Sequence, residues 1–176
     1  MAESDRFSTG FENRKTVLGA DHVERSWAAA DEFNRPMQRL VTEYCWGEVW
    51  GDDTLPFKTR SIINLAMLTA TSQHHELGVH VRGALRNGVS KEEIRAVLLQ
   101  AAIYCGVPLA LAAFRVASEA IRAYEAEAAG SATKVNKTSE ATTATAGSKA
   151  SKPSKASKAS KASKASKASK AKGAGQ

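Results

Sequence analysis

The chain has 176 residues, enough for one domain with a real core plus an extension, and it is basic overall at +7. That charge is unevenly divided: from Ser131 to Gln176 there are 11 Lys and one acid, Glu140, a balance of +10, whereas the first 130 residues hold 14 basic and 17 acidic side chains and stand at −3. The larger part therefore carries no electrostatic footprint of nucleic-acid binding. Cys45 and Cys105 lie far apart and form no C-x-x-C, which argues against a disulfide framework and fits a reduced, cytoplasmic setting. The N-terminal MAESDRFSTG lacks the apolar core of a signal peptide, and no apolar run approaches the roughly 20 residues needed to span a bilayer. Ala96–Phe114, interrupted by Gln100, Gly106 and Pro108, reads as buried helix and not as membrane.

Residues 6–18 are expected to form a short helix ending at Gly19 as its C′ glycine. Asp21 offers an N-cap for a segment through Ala30, with Trp27 as its apolar anchor, and Asn34-Arg35-Pro36 is a further helix start. Met37, Leu40, Val41 and Tyr44 then recur at helical spacing, with Glu48 continuing the stripe. A carboxylate on an apolar face is costly to bury unpaired, so Glu48 either lies past the buried part or pairs with an arginine, Arg60 being one partner. Gly51–Thr54 is a loop, and Leu55-Pro56 opens a helix carrying Arg60, Ile63, Asn64, Met67 and Leu68 near one face.

A break near Ser72 precedes a helix from about Gln73 with Leu77, His80, Val81 and Ala84 on one side, stopped by Asn87-Gly88. Ser90-Lys-Glu-Glu93 is a capping box for a helix with Ile94, Val97, Leu98 and Ala101 as its core face. Gly106-Val107-Pro108 breaks the chain again, and the last helix presents Leu111, Phe114, Ala117, Ile121 and Tyr124. Alternating strand patterns are nearly absent, so the fold class is all-α, with helices packed closely through alanines and some apolar faces buried against other subunits.

The domain boundary falls at 130/131. From Ser154 to Ala171 the chain repeats Ser-Lys-Ala, with no apolar face to bury and a like charge at every third position, so residues 131–176 are expected to be a disordered basic tail. It is either a solvated extension or an arm for polyanions, each lysine displacing a counterion from a phosphate.

Three of the four histidines, His74, His75 and His80, fall at one helix junction. Glu76 lies one turn before His80 on the same face, where its carboxylate sets the imidazole tautomer or raises its pKa. Such pairs are also ordinary on solvated helices. His75 and His80 lack the spacing of a two-histidine metal site, and no H-E-x-x-H, Gly-rich phosphate loop or G-x-S-x-G is present, so no metal or cofactor is expected. Cys105, before the Gly106 break, reads as a buried thiol.

The blocks Tyr44-Cys-Trp-Gly-Glu-Val-Trp50, Leu55-Pro-Phe-Lys-Thr-Arg-Ser61, Glu76-Leu-Gly-Val-His80, Asn87-Gly-Val89 and Ala102-Ile-Tyr-Cys-Gly-Val-Pro108 together resemble the carboxymuconolactone decarboxylase family, over a stretch from about Arg6 to Tyr124. The resemblance implies an alkylhydroperoxidase-D-like helical fold and a trimeric or hexameric assembly. It also implies decarboxylation of 4-carboxymuconolactone to 3-oxoadipate enol-lactone in the protocatechuate branch of aromatic catabolism. The peroxide-reducing branch of that fold uses C-x-x-C with a histidine four residues on; here Gln73 and Glu76 stand at the cysteine positions and His80 at the histidine. A thiol-dependent peroxidase, or a polyanion-binding protein acting through its tail, are the competing readings.

On that resemblance His80 is the general acid or oxyanion donor, Glu76 or Glu48 orients it, and Arg60 grips a substrate carboxylate. The lactone itself accepts the electrons left by CO₂, so the implied reaction needs no cofactor.

Overall fold

In the computed structural model residues 5–145 are described, those from 5 to 130 with their side-chain surroundings. Helices α1 (Asp5–Leu18), α2 (Ala20–Ala28) and α3 (Arg35–Leu40) lead directly into a π-helix (Val41–Val49). Then follow α4 (Phe57–Ala70), α5 (His74–Arg86), α6 (Lys91–Cys105) and α7 (Val107–Thr145). No strand occurs among the described residues, as the all-α reading requires. No described helix is long and apolar enough to cross a membrane. Two compact units divide after Val135, and both cores lie in the first. The Ser-Lys-Ala repeat lies outside the described residues.

The punctuation follows local chemistry. Gly19, at φ 94°, ends α1 and its amide donates to the Lys15 carbonyl at 2.8 Å. Gly88, at φ 79°, closes α5 in a Schellman turn: the Val89 amide donates to Ala84 O at 2.9 Å and Gly88 to Leu85 O at 3.1 Å. Ser90 Oγ accepts from the Glu93 amide at 3.1 Å while the Glu93 carboxylate accepts from the Ser90 amide at 2.7 Å, completing the capping box. Between α4 and α5, Ser72 holds φ 56°, a left-handed conformation rare outside glycine, directly before the site helix.

One start differs from expectation: α2 begins at Ala20 with Gly19, not Asp21, at its N-cap. α3 starts as expected, with Asn34 at its N-cap and Pro36 in the first turn; the Asn34 side chain makes no cap bond, and Asp31 Oδ1 accepts from the amides of Phe33 at 3.1 Å and Asn34 at 3.0 Å.

One core is aliphatic: Leu65 from α4, Leu77, Val81 and Ala84 from α5, Ile94 and Leu98 from α6, and Ala113, Ala117 and Ala120 from α7. The α5 and α6 faces agree with their periodicity. On α7 the buried line is Ala110, Ala113, Ala117 and Ala120, while Leu111 is exposed, because alanines let the helix approach its neighbours most closely. On α4 the buried line is Ser61, Leu65 and Thr69, leaving Ile63 and Met67 exposed. The 96–114 stretch is likewise only partly buried, with Leu99, Ile103, Tyr104 and Val107 open. Cys105, expected to be buried, is exposed.

The second core is aromatic: Trp46 and Trp50, 4.7 Å apart, with Val17, Leu18 and Val23, and with Phe57 edge-on to Trp50 at 5.6 Å. It forms where α1 crosses the π-helix backbone to backbone. A Cβ at Gly10 would stand 2.0 Å from Thr42 O, and one at Gly47 would stand 2.2 Å from Arg6 O, so only glycine permits the contact. The expected Met37/Leu40/Tyr44 stripe is exposed, and Thr42, Trp46 and Trp50 point inward instead. Within Val41–Val49 the i→i+5 turn of the π-helix displaces the face a 3.6-residue period assigns to Tyr44, and α3 itself buries none of its residues.

Candidate functional site

His80 lies on α5 between the two cores. Its ring stacks on Trp46 with planes 2° apart and centroids 6.1 Å apart, and its Nδ1 stands 3.4 Å from the Asn64 amide nitrogen on α4. Burial, the larger influence, pushes the imidazole pKa below its ordinary value, while Glu76 pulls it back up. Burial thus favours the neutral imidazole. In the tautomer that accepts the Asn64 N–H at Nδ1, the ring proton is carried on Nε2. A neutral imidazole held this way is a proton or hydrogen-bond donor for a developing oxyanion.

Glu76 shares the α5 face with His80 and is solvent-exposed. The two are the pair the sequence picked out, and the electrostatic coupling joins them. Glu48 sits near the end of the π-helix in an ion pair with Arg6 at 2.9 Å, both side chains about half exposed. It pairs with an arginine as one reading had it, but the arginine is Arg6. Arg60 serves the loop before α4: Nη2 donates to Asp52 O at 2.7 Å and Asp52 Oδ1 at 3.0 Å, and Nε donates to Leu55 O at 3.1 Å. Its side chain is only 11 % exposed, so it braces the 52–55 loop rather than meeting Glu48. His74 and His75 are exposed, and among the described residues no group of three His, Cys, Asp or Glu gathers as metal ligands.

Three neighbours were not singled out from sequence. Trp46 and Asn64 orient the imidazole. The third is Arg14 on α1, buried to 7 % exposure, whose Nη1 donates to Gln38 Oε1 at 2.9 Å and Thr42 Oγ1 at 3.3 Å. Its Nε has no hydrogen-bond partner, and its charge is felt by both Glu76 and Cys45. Burial lowers the Arg14 pKa and Cys45 and Glu76 oppose this, so its cation lies within electrostatic reach of Glu76. A lone arginine at a regular helical position gives no sequence signal; only the crossing of α1 over the π-helix buries it.

The pattern of the carboxymuconolactone decarboxylase family matches residues 35–119, which include Trp46, Asn64, Glu76 and His80 but not α1 or α2. The chain is 37% identical over 122 residues to the 4-carboxymuconolactone decarboxylase of Acinetobacter baylyi, covering 69% of this chain and 91% of that protein. It is 43% identical over 115 residues to the nitrosuccinic acid decarboxylase of Metarhizium robertsii, covering 65% and 80% respectively. A 4-carboxymuconolactone decarboxylase of Pseudomonas putida is 33% identical over 48 residues, 27% of this chain and 100% of that sequence. The chain therefore belongs to the carboxymuconolactone decarboxylase family, and a carboxy-lyase role is what that membership supports, with substrate differing between members.

Proposed function

We propose that this protein decarboxylates 4-carboxymuconolactone to 3-oxoadipate enol-lactone without a cofactor. The observation that carries the reading is the His80 imidazole, stacked on Trp46 and with Nδ1 beside Asn64, in a chain spanning most of a relative with that activity. The bond between the γ carbon and its carboxylate breaks, CO₂ leaves, and the electron pair moves through the C=C bond onto the lactone carbonyl. The resulting dienolate oxygen takes a hydrogen bond from His80 Nε2–H, and a proton delivered to the α carbon completes the reaction. Glu76 tunes His80. Glu48 and Arg60, at the two ends of the segment joining the π-helix to α4, are the groups we assign to orientation and carboxylate binding, with Arg60 also shaping the 52–55 loop.

The 43% identity to a nitrosuccinic acid decarboxylase favours a second substrate reading. A nitro group beside a departing carboxylate is an electron sink of the same kind as an unsaturated lactone, so one oxyanion donor serves both reactions. The protein is assayed with each acid separately, in chelator and without thiol. CO₂ release with enol-lactone formation supports the first reading; turnover of nitrosuccinate alone replaces it. Loss of either activity on alkylating the two thiols would revive a thiol mechanism.

We further assign a cytoplasmic location and a homo-oligomer, a trimer or hexamer. In support of the oligomer, Ile63, Met67, Ile103, Tyr104 and Leu111 are exposed on α4, α6 and α7, and a largely apolar groove of about 470 Å³ lies between α4 and α6. Sedimentation of the purified chain tests it. Salt-sensitive DNA binding that vanishes on truncation after Gly130 is the corresponding test for the basic tail.

A further inference from the structure

A cavity of about 480 Å³ opens where the first turn of α2 meets α5 and α7. It lies away from His80. The α-helix turns about 200° between His80 and Arg82, so the cavity occupies the opposite flank of α5. Its charged lining is three guanidiniums, Arg25 from α2 and Arg82 and Arg86 from α5, against the carboxylates of Asp21 and Glu127, with the His22 imidazole beside them.

These charges are not mutually neutralised. Arg82 is taken by Glu127 through two 2.7 Å contacts. Among the described residues Arg86 makes no ion pair, although Glu127 lies within electrostatic reach: the Arg86 Nη1 donates to the Val17 carbonyl at 3.4 Å, and its guanidinium lies over the Tyr124 ring at 5.6 Å. Arg25 makes no ion pair among the described residues. The excess is felt locally. Burial first, then Arg14, Arg25, Arg82 and Arg86 together, hold the His22 pKa below its ordinary value. Burial and then Arg82 do the same to Arg86, opposed by Tyr124 and Glu127. Gly19 supplies no side-chain cap to α2, so the first-turn amides of Ala20, Asp21 and His22, which line the cavity, add positive potential.

We propose that this cavity is a binding site for a small organic di- or tricarboxylate, gripped by Arg25 and Arg86 and seated against the α2 N-terminus. Guanidinium forks match carboxylates in bidentate geometry, and two unneutralised ones a few residues from a third call for more than one carboxylate on the ligand. Leu18 and Val79 give the cavity an apolar side, and its volume falls in the range of small-molecule sites. Both features suit a carbon skeleton better than inorganic phosphate. Occupancy joins α2 to α5, the helix that carries His80. The site is independent of the proposed reaction, and its residues in α2 lie outside the segment matched by the family pattern.

The test is calorimetric titration of the full chain with tricarballylate, succinate, inorganic phosphate and acetate at constant ionic strength. One saturable tricarballylate site per chain is expected, with succinate next, phosphate weaker and acetate silent. Arg25→Gln, at an exposed position, should keep the fold and the decarboxylase rate yet weaken tricarballylate at least about tenfold, as loss of a charge-assisted contact predicts. Arg86→Gln should do the same, and bound ligand should raise the pKa of His22 in the proton NMR titration, against Asp21, Arg14, Arg25, Arg82, Arg86 and Glu127 around it. Absence of saturable binding overturns the proposal. So does binding that persists in Arg25→Gln, as the tail lysines would give, and so does phosphate binding as tightly as the carboxylates.

Discussion

The two cores of this small domain solve different problems. The aliphatic core of α4 to α7 is built from leucine, isoleucine, valine and alanine at regular helical positions, and no buried charge is among its members. The aromatic core gathers around the π-helix, pressed by two glycine-mediated backbone contacts, and admits polar groups: the buried Arg14, Thr42 beside it, and the half-buried His80 on the face of Trp46. The first core holds only apolar side chains, and the second borders His80, the group to which we assign the chemistry. Regular packing excludes water and tolerates no unpaired charge. An irregular helix frees room for side chains whose pKa must be shifted, and such helices are frequent at functional sites.

That division can be broken by experiment. The largest separation is expected from His80→Gln, which should keep the fold while lowering kcat about 10²- to 10⁴-fold, the usual worth of a positioned proton donor. Full turnover in the folded variant would remove His80 from the chemistry. The mirror case is Leu98→Ala in the aliphatic core. It should cost about 2–5 kcal/mol in urea unfolding and leave kcat of the folded fraction unchanged. Equal damage to activity would mean that the two cores are not separable.

Gly10→Ala sits between these extremes. Its new methyl would meet the Thr42 carbonyl at 2.0 Å, forcing α1 off the π-helix at a cost of at least about 1–3 kcal/mol. Because the displaced π-helix carries Trp46, kcat should fall as well, and a loss of stability alone would show that Trp46 does not position His80.

A pH effect follows from the histidines. His80 and His22 both have folded-state pKa values below the ordinary value of about 6.5. The unfolded chain therefore binds more protons below that value. Their contribution is full above it and is lost as pH falls toward the folded-state pKa. In His80→Gln the slope of stability against pH between about 6.5 and 5 should be shallower than in the parent. The smallest effect concerns Cys45. Partial desolvation raises its thiol pKa and Arg14 opposes this, so Arg14→Met should slow its alkylation a few-fold while Cys105, likewise exposed but at the end of α6, is unaffected. Unchanged Cys45 labelling would show that Arg14 does not reach this side of the site.

The features legible in the sequence were those set by residues close along the chain. Gly19, Gly88, the Ser90/Glu93 box and the α5 and α6 faces follow from backbone conformations and turn bonds that span a few residues, and the Glu76/His80 pairing follows from one helical turn. The tertiary structure decided what depended on distant segments meeting. The crossing of α1 over the π-helix turned the α3 stripe outward and buried Arg14. The 52–55 loop took Arg60, and Arg6 took Glu48. The packing of α5 against α4 and the π-helix put Asn64 and Trp46 on His80. Periodicity reports which residues share a face only while the helix keeps its period, and no local pattern says which face a second helix will cover.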